Sequence, residues 1–438
     1  MDTRAIKFVQ DPGRVRELAA GIAEKKLSPV DLVRRYLARI AEIDAQVQAW
    51  RLVDADRALS VARQRETEAA AGRIRGPLHG VPVAIKDIID VEGLPTRANS
   101  RLRADAPPAT GDAGIVLALK AQGAIVLGKA HTTEYAFFDP SPARNPHNIA
   151  HTPGGSSSGS AAAVAAGMAP IAVGTQTVAS VNRPAAYCGV AAFKPSTGSV
   201  SCFGITPLGP SYDTPGFYGW SVDDAVFVYE AVAPQFARRL HEPVSPSTIR
   251  VCILEDAHIT DAISDMQAAL RQTADAIANA GNRVERKPSP IAFERLFQIQ
   301  RSTMAYEAGR ALKNLLDHPA GMVGEKIVGL VHEGLAISGD RYLEERREIG
   351  AMRATLFGNV ETDVFLWPAT PSTAPEGLAW TGDPKYISPW TALGGPIVSL
   401  PAGVAANGLP VGCIIAARPG RDAAMCDWAR RLAPGLTA

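Results

Sequence analysis

The stretch from Pro153 to Pro184, PGGSSSGSAAAVAAGMAPIAVGTQTVASVNRP, constrains this chain more than any other. Small residues crowd Gly154–Ser160, an Ala-rich segment and an apolar run follow, and a second loop then carries Ser180. A Gly/Ser tract is ordinarily a flexible linker. This one runs directly into AAAVAAG and IAVGT, which want burial, so it reads as a turn within a core. One short helix and one strand between Ser156 and Ser180 can bring both loops to the same sheet edge, where α/β proteins usually build their sites.

The text around that stretch alternates helix and strand patterns. Ser28-Pro29-Val30-Asp31 predicts a helix start, and Leu32, Val33, Tyr36, Leu37, Ile40 and Ile43 form one apolar stripe. Further helices are expected before it and around Ala55–Ala71. VPVAIKDIID reads as a buried strand from its β-branched density, with Lys86 inside it. Asp112–Gly123 reads as a helix stopped by its glycine, and AIVLGK as the next strand. After Pro184, AAYCGVAAFKPSTGSV and FGITPLGPSYDTPG read as loops over the sheet edge. Ser221 with Asp224 predicts a capping box, RVCILE a strand, and Ile263 to Ile277 a helix stopping at Gly281. Residues 290–358 are expected to be mostly helical. Late strands are expected within 364–375, 394–403 and 409–420, and a final helix over Asp422–Leu432. The expected fold class is therefore α/β, a single large domain with a mixed β-sheet core flanked by helices. Its expected divisions are N-terminal helices (1–75), a core (76–225), a variable helical region (226–360) and C-terminal strands with a helix (361–438).

Composition narrows the function classes. A 438-residue chain with 46% hydrophobic and 20% charged residues is an ordinary globular protein with a large core. Its net charge is +1 and its Lys and Arg residues are scattered, which argues against a nucleic-acid or membrane surface. Five cysteines without a CxxC indicate neither a disulfide framework nor a zinc site. His147 and His151 stand four apart, but in loop-like text and without HExxH, so no metal is expected. MDTRAIKFVQDPGR has no apolar core of a leader, and no apolar run reaches membrane-spanning length. The expectation is a cytoplasmic protein with no cofactor.

A lysine inside a strand and two loop serines suggest nucleophilic acyl chemistry without histidine. Lysine is rarely buried without reason. Lys86 either snorkels or pairs with the adjacent Asp87, or it is desolvated until its neutral amine can act as a base. Such an amine could take a serine proton directly or through a second serine. Thr177, Val178 and Ala179 offer successive backbone N–H groups for an oxyanion hole. The phosphate-loop alternative requires GxxxxGK[ST], and no lysine follows Gly159; nor is there a GxSxG with the triad partners of an α/β-hydrolase.

Over nearly its whole length the chain resembles the amidase signature family of Ser-cisSer-Lys hydrolases. The resemblance rests on GPLHGVPVAIKD, DAGIVLALKAQGAIVLGKAHTTEYAF, NPHNIAHTPGGSSSGSAAAVAAG, RPAAYCGVAAFKPSTG, SYDTPG and GGPIVSLPAG…LPVGCIIAARPG. It implies Ser180 as nucleophile, Ser156 as bridging serine after a cis peptide, and Lys86 as general base. The family usually reads GTDTGGSIR where this chain has GTQTVASVNRP, so Gln176 and Asn182 replace an acid and an arginine together. Val178 stands where the family has glycine, and a positive φ there would be incompatible with a β-branched side chain. The implied partner is a small-molecule amide, carbamate or urea. Tyr135, Phe138 and Trp390 are candidate pocket aromatics, and Cys188 is expected to be a small buried residue. Self-association into a homo-oligomer is left open. The alternative is a subunit of a glutamine-dependent aminoacyl-tRNA amidotransferase, acting in a complex.

Overall fold

Eleven strands build one mixed sheet: β1 (Trp50–Val53), β2 (Pro82–Lys86), β3 (Ile125–Ala130), β4 (Ile171–Gln176), β5 (Ala191–Lys194), β6 (Thr214–Gly219), β7 (Arg250–Glu255), β8 (Arg283–Pro288), β9 (Val364–Pro368), β10 (Ile397–Val404) and β11 (Pro410–Ala416). Their order is β1-β3-β2-β4-β6-β5-β10-β11-β9-β7-β8. β2 runs parallel to both β3 and β4, and β7 runs parallel to β8 and β9. The remaining neighbours are antiparallel. The structure is a computed structural model that describes residues 7–233 and 247–433. The first six residues of the stretch read for a leader lie outside it. Among the described residues no helix is long and apolar enough to cross a membrane.

Side-chain alternation divides the core between the two faces of the sheet. Val83, Ile85, Ile171 and Val173 join one apolar cluster, while Ala84 and Ala172 join the other. The alanine face receives the Ser158–Ala165 helix, every residue of which is buried. The small residues let that helix lie close. A Cβ on Gly159 would fall 2.2 Å from the Ala49 carbonyl oxygen and 2.4 Å from the His131 nitrogen. The tract read as a core turn is indeed inside the core, because no larger side chain fits there.

Local chemistry set several helix ends. Ser28 accepts from the Asp31 N–H at 3.2 Å to start the Pro29–Val47 helix. Ser221 and Asp224 form a reciprocal capping box on Val222–Val232, a feature worth about 1 kcal/mol. The last helix spans Asp422–Leu432, as expected.

The loops expected after Pro184 need correction. That text holds most of a helix, Asn182–Cys188, the interior strand β5 and the start of interior strand β6, while 195–213 runs in loops as expected. One glycine that suggested a loop is a packing residue: a Cβ on Gly216 would fall 2.7 Å from Val181 Cγ2. The strand expected over VPVAIKDIID ends at Lys86, where the Ile88 and Ile89 N–H groups turn back onto its carbonyl at 2.9 and 3.0 Å. The edge strands β1 and β8 were not anticipated. β8 reads RVERKP, a charged composition suited to an unpaired edge.

Candidate active site at the carboxyl ends of two parallel strands

Lys86 closes β2 and Gln176 closes its parallel neighbour β4, so both strands deliver their last residues to one edge. Lys86 is fully buried. Its Nζ donates to Ser156 Oγ at 2.7 Å, to Thr175 Oγ1 at 2.8 Å and to the Thr175 carbonyl at 3.4 Å. All three partners are neutral. Burial holds this amine well below the ordinary lysine range, and the carboxylate of Asp213 pulls it only partly back. Asp87 is not its partner: that carboxylate pairs with the buried Lys129 at 2.8 Å. The expected pairing of Lys86 with its neighbour does not form: β2 ends at Lys86, and the Asp87 carboxylate in the turn after it is taken by Lys129.

Ser156 follows a cis peptide bond from Gly155 and leads into the Ser158–Ala165 helix. Its carbonyl accepts from the Thr133 N–H at 3.1 Å and the Ser158 N–H at 2.8 Å. Ser180 lies in the loop between β4 and the Asn182–Cys188 helix. The two loops are stitched together by the Ser157 N–H on the Ser180 carbonyl at 3.3 Å, which also accepts from the Tyr218 hydroxyl at 3.2 Å. Arg183 adds a second stitch, donating to the Gly155 carbonyl at 2.7 Å, to Thr381 Oγ1 at 2.9 Å and to the Gly382 carbonyl. Arg183 is buried, which lowers its guanidinium to about 10 and leaves it charged at neutral pH.

The Ser180 loop hangs on Gln176. Its Oε1 accepts from the N–H groups of Val181 at 2.8 Å and Asn182 at 3.0 Å. Its Nε2 donates to Asn182 Oδ1 at 3.0 Å and Thr391 Oγ1 at 2.9 Å. Asn182 in turn donates to Ser399 Oγ at 3.0 Å. Both neutral replacements are thus fully used and need no charge.

Among the described residues, no acceptor meets the N–H groups of Thr177, Val178, Ala179 or Ser180. Buried backbone donors are nearly always paired, so a run of free ones beside a serine can receive an anionic oxygen. Val178 is not among the residues with positive φ, so its branched side chain fits the backbone found there.

The pocket aromatics separate. Phe138 is half-buried, with the Arg183 guanidinium 5.8 Å from its ring centre, and Tyr135 is buried on the same segment. Trp390 is a core residue instead, its ring 5.1 to 5.6 Å from those of Phe293, Phe365 and Trp367. Cys188 is buried, its thiol pushed far up by desolvation. The rings of His147 and His151 face different backbone carbonyls, Cys188 at 3.1 Å and Ala374 at 2.8 Å. Gln300 and Thr391 were not legible in the sequence; each reaches the site from a distant segment.

A family model described as Amidase matches residues 31–426. A glutamyl-tRNA(Gln) amidotransferase subunit of Anaeromyxobacter dehalogenans (strain 2CP-C) is 31% identical over 471 residues, covering 95% of each chain. The corresponding protein of Anaeromyxobacter sp. (strain K) is 41% identical over 249 residues, 55% of this chain, and this match spans only 50% of that relative's length. Among solved structures, an amidase superposes with a TM-score of 0.87 at 27% identity, over 97% of this chain and 100% of that one. The peptide amidase of Stenotrophomonas maltophilia gives 0.81 at 28% identity, over 97% and 96%. A 6-aminohexanoate cyclic dimer hydrolase gives 0.84 at 22% identity, over 98% of both chains, a likeness of fold.

Proposed function

The chain belongs to the amidase family, and from that premise we propose that it cleaves the C–N bond of a small-molecule amide, carbamate or urea through an acyl-enzyme on Ser180. One observation carries the reading: Lys86 is buried among neutral groups with its Nζ 2.7 Å from Ser156 Oγ. A lysine held there favours its neutral form, and a neutral amine can accept a proton.

In the proposed cycle Ser180 Oγ attacks the carbonyl carbon while its proton passes to Ser156 and the Ser156 proton passes to Lys86. The negative oxygen that develops is taken by the free N–H groups of Thr177, Val178 and Ala179. When the C–N bond breaks, Lys86 returns the proton through Ser156 to the leaving nitrogen, and an amine departs. Water then adds to the Ser180 ester under the same relay, releasing the acid and restoring the serine. Phe138 and Tyr135 stand on the segment beside the Gly155 loop and are proposed to contact the substrate.

Identity of 31% with an amidotransferase component, over 95% of both chains, supports a second reading, a protein that works in a complex. The altered nucleophile loop favours the hydrolase. A panel of anilides, aliphatic amides, carbamates and ureas, run with Ser180→Ala and Lys86→Ala, tests the proposal. Turnover by the purified chain alone that both substitutions abolish supports it. Turnover only with added partner proteins and tRNA favours the second reading.

A further inference from the structure

We infer that Gln300 and Thr391 are positioning residues that orient the oxyanion-binding N–H groups by holding the intervening carbonyls from behind. The inference rests on the reading of Ser180 as nucleophile. Gln300 Nε2 donates to the Thr177 carbonyl at 3.1 Å, and Thr391 Oγ1 donates to the Val178 carbonyl at 2.6 Å. Both side chains are fully buried, on the Phe293–Ala311 and Ser388–Leu393 helices.

Each donor is itself fixed. Gln300 Oε1 accepts from Ser388 Oγ at 2.8 Å, which sets the amide's orientation and aims Nε2 at the carbonyl. Thr391 Oγ1 accepts from Gln176 Nε2 at 2.9 Å. Its single proton serves Val178 at 2.6 Å in preference to the Ile387 carbonyl at 3.4 Å.

Peptide planarity turns these contacts into a statement about the opposite side. The cis bond found is Gly155–Ser156, so the peptides after Thr177 and Val178 are trans. In a trans peptide the C=O and the following N–H point in opposite directions. Holding the Thr177 and Val178 carbonyls against the two helices therefore directs the Val178 and Ala179 N–H groups away from them. These N–H groups are among those without an acceptor. A flipped peptide would present a carbonyl dipole to the developing anion and repel it. The loop is restrained through its carbonyls.

The test uses near-isosteric substitutions, Gln300→Met and Thr391→Val, singly and together. On the best amide of the panel, kcat should fall about ten- to hundredfold for each with KM little changed, less than the 10²–10³ cost of deleting a donor outright. Affinity for a boronic acid, which forms a tetrahedral adduct with serine, should fall in step, and Thr391→Ser should restore both. Should Gln300→Met fail to fold, the Thr391 series carries the test alone. Unchanged kcat and boronate affinity in the folded variants overturn the inference while leaving Ser180 in place. Retained turnover in Ser180→Ala overturns the underlying reading as well.

Discussion

Gln176 and Asn182 face each other as neutral amides, Nε2 to Oδ1 at 3.0 Å. The loop is held here without a charge at either position. Gln176→Glu should therefore be costly: the carboxylate would lie buried against Asn182 Oδ1 with no cation to meet it. The expected loss is about 3 kcal/mol of stability, read by urea unfolding. Gln176→Asp with Asn182→Arg should lose less than the sum of the two single changes, a coupling of about 1–3 kcal/mol. Strict additivity would show that the two positions are independent.

Lys86, as the proposed base, should set the pH profile. The amine acts as a base only when neutral, and burial lowers its folded-state value well below 10.5. Activity is lost as pH falls through that lowered value and is full above it. The acidic limb of kcat/KM should thus lie far below the ordinary lysine range, near 10.4. A limb at that ordinary value would contradict the lowering of Lys86 by burial.

Arg183 ties the Gly155 carbonyl to the Thr381–Gly382 segment. Arg183→Met would leave buried carbonyls without a donor, at about 1–3 kcal/mol of stability. Because Gly155 precedes Ser156, kcat should fall more than KM rises. Lysine should not rescue the loss, since it cannot span three acceptors with a planar fork. Full rescue by Arg183→Lys would reduce its role to charge alone.

Cys188 should play no chemical part. Desolvation disfavours its thiolate, and Sγ rests 3.5 Å from the Pro153 carbonyl. Iodoacetamide at neutral pH should leave activity intact and Cys188 unmodified by mass spectrometry. Inactivation with alkylation at Cys188 would contradict this.

What could be read from the sequence was what local chemistry decides. A lysine in a β-branched strand, a small-residue tract running into an apolar segment, and the caps at Ser28 and Ser221 all stand out without tertiary information. What could not be read depends on segments far apart. Gln300 and Thr391 lie 123 and 213 residues from the carbonyls they hold, and neither belongs to a motif. β6 was hidden because Pro215 and Gly216 read as turn residues, whereas the side chain of Val181 leaves Gly216 no room for a Cβ. Trp390 suggested a pocket wall because a large aromatic ring fits a core equally well, and sequence alone does not distinguish the two.

The most direct measurement is active-site titration with a fluorophosphonate, followed by peptide mapping. The account predicts stoichiometric labelling on Ser180, abolished in Ser180→Ala and slowed by orders of magnitude in Lys86→Met, with a folded protein in each case. Labelling at another residue, or amide turnover that survives Ser180→Ala, would contradict it.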